Sequence, residues 1–117
     1  MRFRSLVVWK EAKELASTVY RLTEIFPDKE IFGLVSQMRR ASISIASNIA
    51  EGSGRQHKKE FIHFLHVARG SLFELLSQAE ISSELGYLHS NDFLLLERKC
   101  ILLTKRIRSL ANSLGSE

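Results

Sequence analysis

The sequence has one proline, one cysteine and no apolar run longer than four residues. A bilayer span needs roughly 20 apolar residues in succession, so no transmembrane helix is expected. The start, Met-Arg-Phe-Arg, leads into Trp9 and Lys10 without the apolar region and small-residue cleavage site of a secretory signal. Cytoplasmic residence is therefore the expectation. Cys100, alone, cannot form an intramolecular disulfide, which fits a reducing compartment. Strong charge of either sign is also lacking: 17 Lys and Arg against 13 Asp and Glu give +4. That excess permits a nucleic-acid partner without demanding one. What is present is a 44% hydrophobic fraction in 117 residues, enough for one domain with one core and too much for wholesale disorder.

Pro27 and the glycines cut the chain into four segments with helical spacing. The first, about 6–26, carries Val8, Ala12, Leu15, Val19, Leu22 and Phe26 on one seam. Phe26, preceding Pro27, is pushed out of the α region and closes it. The second, about 32–50, carries Leu34, Met38, Ala41 and Ile45. Residues 42–45 alternate as a strand would, but helical spacing on both sides outweighs four residues. Six of the ten residues 41–50 are Ala or Ser, so close packing on more than one face is expected there. Gly52-Ser53-Gly54 reads as a loop. The third segment, about 57–85, has Phe61, Leu65, Ala68, Leu72, Leu75 and Ala79, with Gly70 inside it at some cost in helix stability unless a neighbour packs closely there. Gly86 suits a left-handed C-cap. Ser90 suits the N-cap of a fourth helix, about 91–114, with Phe93, Leu96, Cys100, Leu103, Ile107, Leu110 and Leu114 as its seam. Short connections force antiparallel neighbours. The prediction is an all-α, up-down antiparallel four-helix bundle with left-handed, coiled-coil-like packing.

The helices carry more apolar surface than one seam needs. Val7, Trp9, Ile62, Phe64, Val67, Leu94, Leu95, Ile101 and Leu102 flank the seams. Surplus apolar stripes mark interfaces, so self-association is expected. Charge is segregated too. Residues 71–97 hold five acids and no Lys or Arg; residues 98–108 hold five bases and no acid. An antiparallel fold is then expected to gather Lys105, Arg106 and Arg108 with Arg55, Lys58, Lys59, Arg2, Arg4 and Lys10 at one end. Glu24, Asp28, Glu30, Glu80, Glu84 and Asp92 gather at the other. The basic end reads either as a phosphate-docking surface, with counterion release on binding, or as a solvated face that keeps the bundle soluble.

No catalytic, metal or cofactor site is recognised. Glu60-x-x-His63 is half of a helix-bundle di-iron motif, without the second Glu-x-x-His that such a site needs. His63 and His66, three apart, read as exposed histidines rather than ligands. Cys100 lies on the core seam with no His at i±3 or i±4, which makes it a buried inert thiol rather than a nucleophile. Gly52-Ser53-Gly54-Arg55 lacks the Gly-Lys-Ser/Thr ending of a nucleotide loop, so a plain turn is the better reading.

Several blocks carry a resemblance. They are Phe26-Pro27, Glu30-x-Phe32-Gly33-Leu34-x-x-Gln37-x-Arg39-Arg40-Ala41 and Ser44-Ile45-x-x-Asn48-Ile49-Ala50-Glu51-Gly52-x-Gly54-Arg55. With Glu60-Phe61-x-x-Phe64-Leu65-x-x-Ala68-Arg69-Gly70-Ser71-x-x-Glu74, they cover nearly the whole chain. The sequence resembles the four-helix-bundle proteins encoded in intervening sequences of bacterial 23S ribosomal RNA. A related branch comprises accessory proteins that partner reverse transcriptases in diversity-generating retroelements. The resemblance implies a homo-oligomer, a pentameric ring, with a role tied to RNA or other nucleic acid and no catalysis. It recasts Gln37, Arg39, Arg40, Asn48 and Glu51 as residues that bridge helices or subunits; Arg39 and Arg40 can also be read as ligand-binding. The rival function is a protein-binding adaptor for a nucleic-acid enzyme such as a reverse transcriptase, and a purely structural oligomer is the third reading.

Overall fold

Every residue of the first predicted seam is buried, from Val8 to Phe26. Those of the third are buried as completely, and Leu96, Cys100, Leu103 and Ile107 of the fourth are at most 2% exposed. The computed structural model, which describes residues 2–115, folds them into four helices: α1 Val7–Thr23, α2 Ser36–Ser53, α3 Lys58–Glu84 and α4 Ser90–Gly115. Each of α1 and α3 packs on both α2 and α4. The result is an up-down antiparallel bundle, 47 Å long and about 20 Å across. One continuous apolar cluster runs along its axis, with contributions from all four helices. No helix among the described residues is long and apolar enough to cross a membrane.

α1 stops at Thr23, three residues before the predicted end. Pro27 has no N–H to give the Thr23 carbonyl, which accepts instead from Phe26 in a tighter turn at 3.2 Å. A short 3-10 turn, Asp28–Glu30, and a π-helical turn, Ile31–Val35, then lead into α2. Gly33 breaks the helical path there, with φ −110° and ψ −113°. Regular α2 thus begins at Ser36 rather than near Phe32, and residues 42–45 are helical.

The largest departure concerns Gly52-Ser53-Gly54. α2 runs through Gly52 and Ser53, and the link to α3 is only 54–57. Gly52 is buried against α3: a Cβ there would sit 2.7 Å from Phe64 Cβ and 2.9 Å from Phe61 Cδ1. It is a glycine of close approach, not of turning. Gly70, by contrast, has nothing within 4 Å of where its Cβ would be, so no neighbour offsets its helical cost.

α3 ends in a Schellman motif. The Tyr87 N–H donates to the Ser82 carbonyl at 2.9 Å, and the Gly86 N–H to that of Ser83 at 3.0 Å. Gly86 takes the positive φ, 82°, that this closure requires. α4 opens with the His89 carbonyl accepting from the Phe93 N–H at 2.9 Å, which puts Ser90 in the first turn rather than at the cap.

Candidate nucleic-acid interface

The 3-10 turn Arg2–Ser5, the end of α2, the start of α3 and the end of α4 meet at one end of the bundle. The Arg2 guanidinium lies 5.7 Å from the Phe61 ring centroid. At the tip of α4, a Cβ on Gly115 would sit 3.6 Å from Ile62 Cδ1. Arg2, Arg4, Arg55, Lys58 and Lys59 therefore share this end, as the charge pattern predicts. Lys10 adjoins it in the first turn of α1, where it lines a shallow hollow with Arg4, Trp9 and Lys13.

Lys105, Arg106 and Arg108 are not gathered there. Lys105 and Arg108 line a small cleft beside Leu72 and Phe73, in the middle of α3. Leu72 is 14 residues from Lys58 along α3, roughly 20 Å at 1.5 Å per residue. The cause is register. α3 and α4 have 27 and 26 residues and pair end to end, so positions seven to ten residues before Gly115 fall beside mid-α3. The basic residues are spread along the bundle rather than clustered at its tip, with Lys105 and Arg108 at the α3–α4 cleft and Arg106 turned toward α1.

Arg55 and Arg106 are paired with carboxylates. Arg55 pairs with Glu51 at 2.8 Å and lies 4.0 Å from Glu60, with its guanidinium 4.9 Å from the Phe64 ring centroid. Arg106 hydrogen-bonds and ion-pairs with Glu11 of α1. The exposed Arg55 pairs add little stability, but both pairings lower the charge offered to a ligand. Lys59, Lys105 and Arg108 are exposed. Arg55, His57, Lys59, Glu60, His63 and Phe64 line an open groove of about 500 Å³. Glu24, Asp28, Glu80 and Glu84 lie exposed toward the opposite end.

Among the residues expected to bridge elements, Arg39 donates from Nε to Thr23 Oγ1 at 2.9 Å and from Nη2 to the Tyr20 carbonyl at 3.2 Å. Its guanidinium also lies 4.5 Å from the Tyr20 ring centroid, so it fastens α2 to α1. Asn48 donates to the carbonyl and hydroxyl oxygens of Ser44, and the Ser44 hydroxyl is 2.9 Å from that of Ser71, a polar link between α2 and α3. Glu51 holds Arg55. Gln37 and Arg40 are exposed.

Cys100 is 2% exposed, and burial pushes its thiol up to about 12, so almost no thiolate forms at neutral pH. Among the described residues, no group of three or more His, Cys, Asp or Glu is placed to hold a metal ion. The charge pattern counts Glu30 only among the acids of the far end, but the fold uses it as a brace. Its Oε1 accepts from the Leu34 N–H at 3.2 Å and its Oε2 from the Tyr87 hydroxyl at 3.3 Å. The only signal for this in the sequence is the spacing of Glu30 four residues before Leu34.

No curated protein matches the chain. Among solved structures it is similar to a protein of unknown function from the S23 ribosomal protein family of Bacteroides thetaiotaomicron VPI-5482. The two share 21% sequence identity over 96% of this chain and 99% of the other, with a TM-score of 0.84, a likeness of fold. Residues 4–109 match the family of the 23S rRNA-intervening sequence protein. By that match over most of its length, the chain belongs to the 23S rRNA-intervening sequence protein family.

Proposed function

We propose that this protein is a non-catalytic, self-assembling bundle that binds RNA along its basic strip. The strip itself carries the reading. Lys58 and Lys59 at one end and Lys105 and Arg108 at mid-bundle define a line roughly 20 Å long, about six phosphate steps of one strand at 3.4 Å each. The acid-rich end lies away from it. The family takes its name from 23S rRNA intervening sequences, which puts structured RNA first among the ligands to try. Exposed Val67, Phe73, Leu94, Ile101 and Leu102 on the outer faces of α3 and α4 support self-assembly. An assembly would repeat the strip once per subunit.

The test is a titration of the purified protein against structured RNA, single strands and duplex DNA over a salt series. Log affinity is expected to fall linearly with log salt, by about 0.7–0.9 for each phosphate contacted. Structured RNA is expected to bind most tightly. Absence of binding to every nucleic acid at low salt would remove this reading and leave the strip as a solvated face.

A further inference from the structure

Phe32 is 95% exposed, more than any other large hydrophobic residue, and Ile25 and Ile31 beside it are 66% and 48% exposed. The turn that carries it is built, not loose. The Glu30 carboxylate is held by the Leu34 N–H and the Tyr87 hydroxyl, and the Tyr87 ring packs on Phe26 with centroids 5.7 Å apart. Gly33 completes the device, because a Cβ there would fall 2.6 Å from the Glu30 Oε1. The fold thus fixes an apolar ring in water, where it contributes nothing to the core of its own copy.

A groove of matching character lies on α4. Leu94, Glu97, Arg98, Ile101, Leu102 and Lys105 of α4 line an open groove of about 550 Å³. Its three apolar residues are 44–52% exposed. Exposed Glu24 and Asp28 precede the anchor in the chain, with exposed Lys29 after them; Arg98 and Lys105 line the groove together with Glu97. The net signs are opposite. The heights agree as well: Glu30 bonds Tyr87, three residues before α4 begins, and Leu94 lies in the first turns of α4.

Resting on the self-assembly reading above, we infer that Phe32 of one copy inserts into the Leu94–Ile101 part of the α4 groove of a second copy. The contact joins two different patches, so it is heterologous and propagates from copy to copy until it closes on itself or extends. Two copies side by side with axes parallel bring anchor and groove to the same level. Lys105, at the far end of the groove, stays on the basic strip.

Complementation tests this. At micromolar concentration, light scattering should give the parent a mass several times 13.4 kDa. Phe32→Ser loses the anchor and Ile101→Asp spoils the groove; each alone should fall toward 13.4 kDa with helix content unchanged. Mixed in equal amounts they retain one intact junction, so pairs of about twice 13.4 kDa should form. A second measurement does not need the charged variant: oxidation of mixed Phe32→Cys and Leu94→Cys chains should link unlike chains in preference to like ones. Buried Cys100 keeps the background low. A multimeric parent whose Phe32→Ser variant keeps the same mass, or a cross-link without preference for unlike chains, overturns the anchor and leaves self-assembly standing. A monomeric parent overturns both.

Discussion

Replacing Lys58, Lys59, Lys105 and Arg108 together with glutamine is expected to weaken nucleic-acid binding about a thousandfold at 0.1 M salt. Four phosphate contacts at about 0.7–0.9 each lower the salt slope by about 3, and at 0.1 M that slope corresponds to about three decades of affinity. Arg106 and Arg55 are left intact on purpose. Each answers a carboxylate, and Glu11 keeps one oxygen buried without a hydrogen-bond partner even with Arg106 present. Losing Arg106 would leave that acid partly buried and unpaired, so the change would act on folding as well as on binding. The two pairs are also separable. Lys58 and Lys59 stand roughly 20 Å from Lys105 and Arg108, so each double variant should lose about half the slope. A strand of three nucleotides, too short to bridge both sites, should respond to one pair only. Unchanged affinity in the fourfold variant at every salt concentration, with helix content intact, would show that phosphates do not lie along the strip.

Gly52→Ala should destabilise the bundle by about 1–3 kcal/mol, although helix propensity argues for the opposite sign. In an exposed helix interior, replacing Gly by Ala gains about 0.8–1.0 kcal/mol. At Gly52 the new methyl would meet Phe64 Cβ at 2.7 Å, and that atom moves only if α3 itself moves. Overpacking of this kind costs typically 1–3 kcal/mol net. Gly70→Ala is the internal control, because its Cβ would enter open space and should stabilise by about 0.5–1 kcal/mol. Urea unfolding read by helix content would give both signs. A Gly52→Ala chain as stable as the parent would mean that α2 and α3 do not approach so closely.

These two glycines show where the sequence was legible and where it was not. The four seams could be read because burial at alternating steps of three and four residues is a local pattern, and Leu15, Met38, Leu65 and Leu96 all lie where it puts them. Gly86 could be read because a helix end, a glycine and a short link coincide. Gly52 could not. A glycine that turns the chain and one that admits a neighbouring helix look alike until the neighbour, here Phe61 and Phe64, is in place. The basic residues failed in a related way. Their sign and segregation were visible, but their axial position depends on which residues of α3 face which of α4. The α1 end was missed by three residues because proline acts on the carbonyl four positions back as well as on the residue before it. The Arg39–Thr23 and Ser44–Ser71 links pair residues 16 and 27 apart, which no local pattern specifies.

The elongated shape also changes what the net charge means. At 0.1 M salt the screening length is about 10 Å, whereas the bundle is 47 Å long. An approaching polyanion within reach of Lys58 and Lys59 therefore does not sense Glu24, Asp28 or Glu84 at the far end. It meets a locally cationic surface, not a protein of formal charge +4. If the chain binds RNA as proposed, capture would be steered toward the basic end before any contact forms, and an anionic competitor would slow it by occupying that end alone.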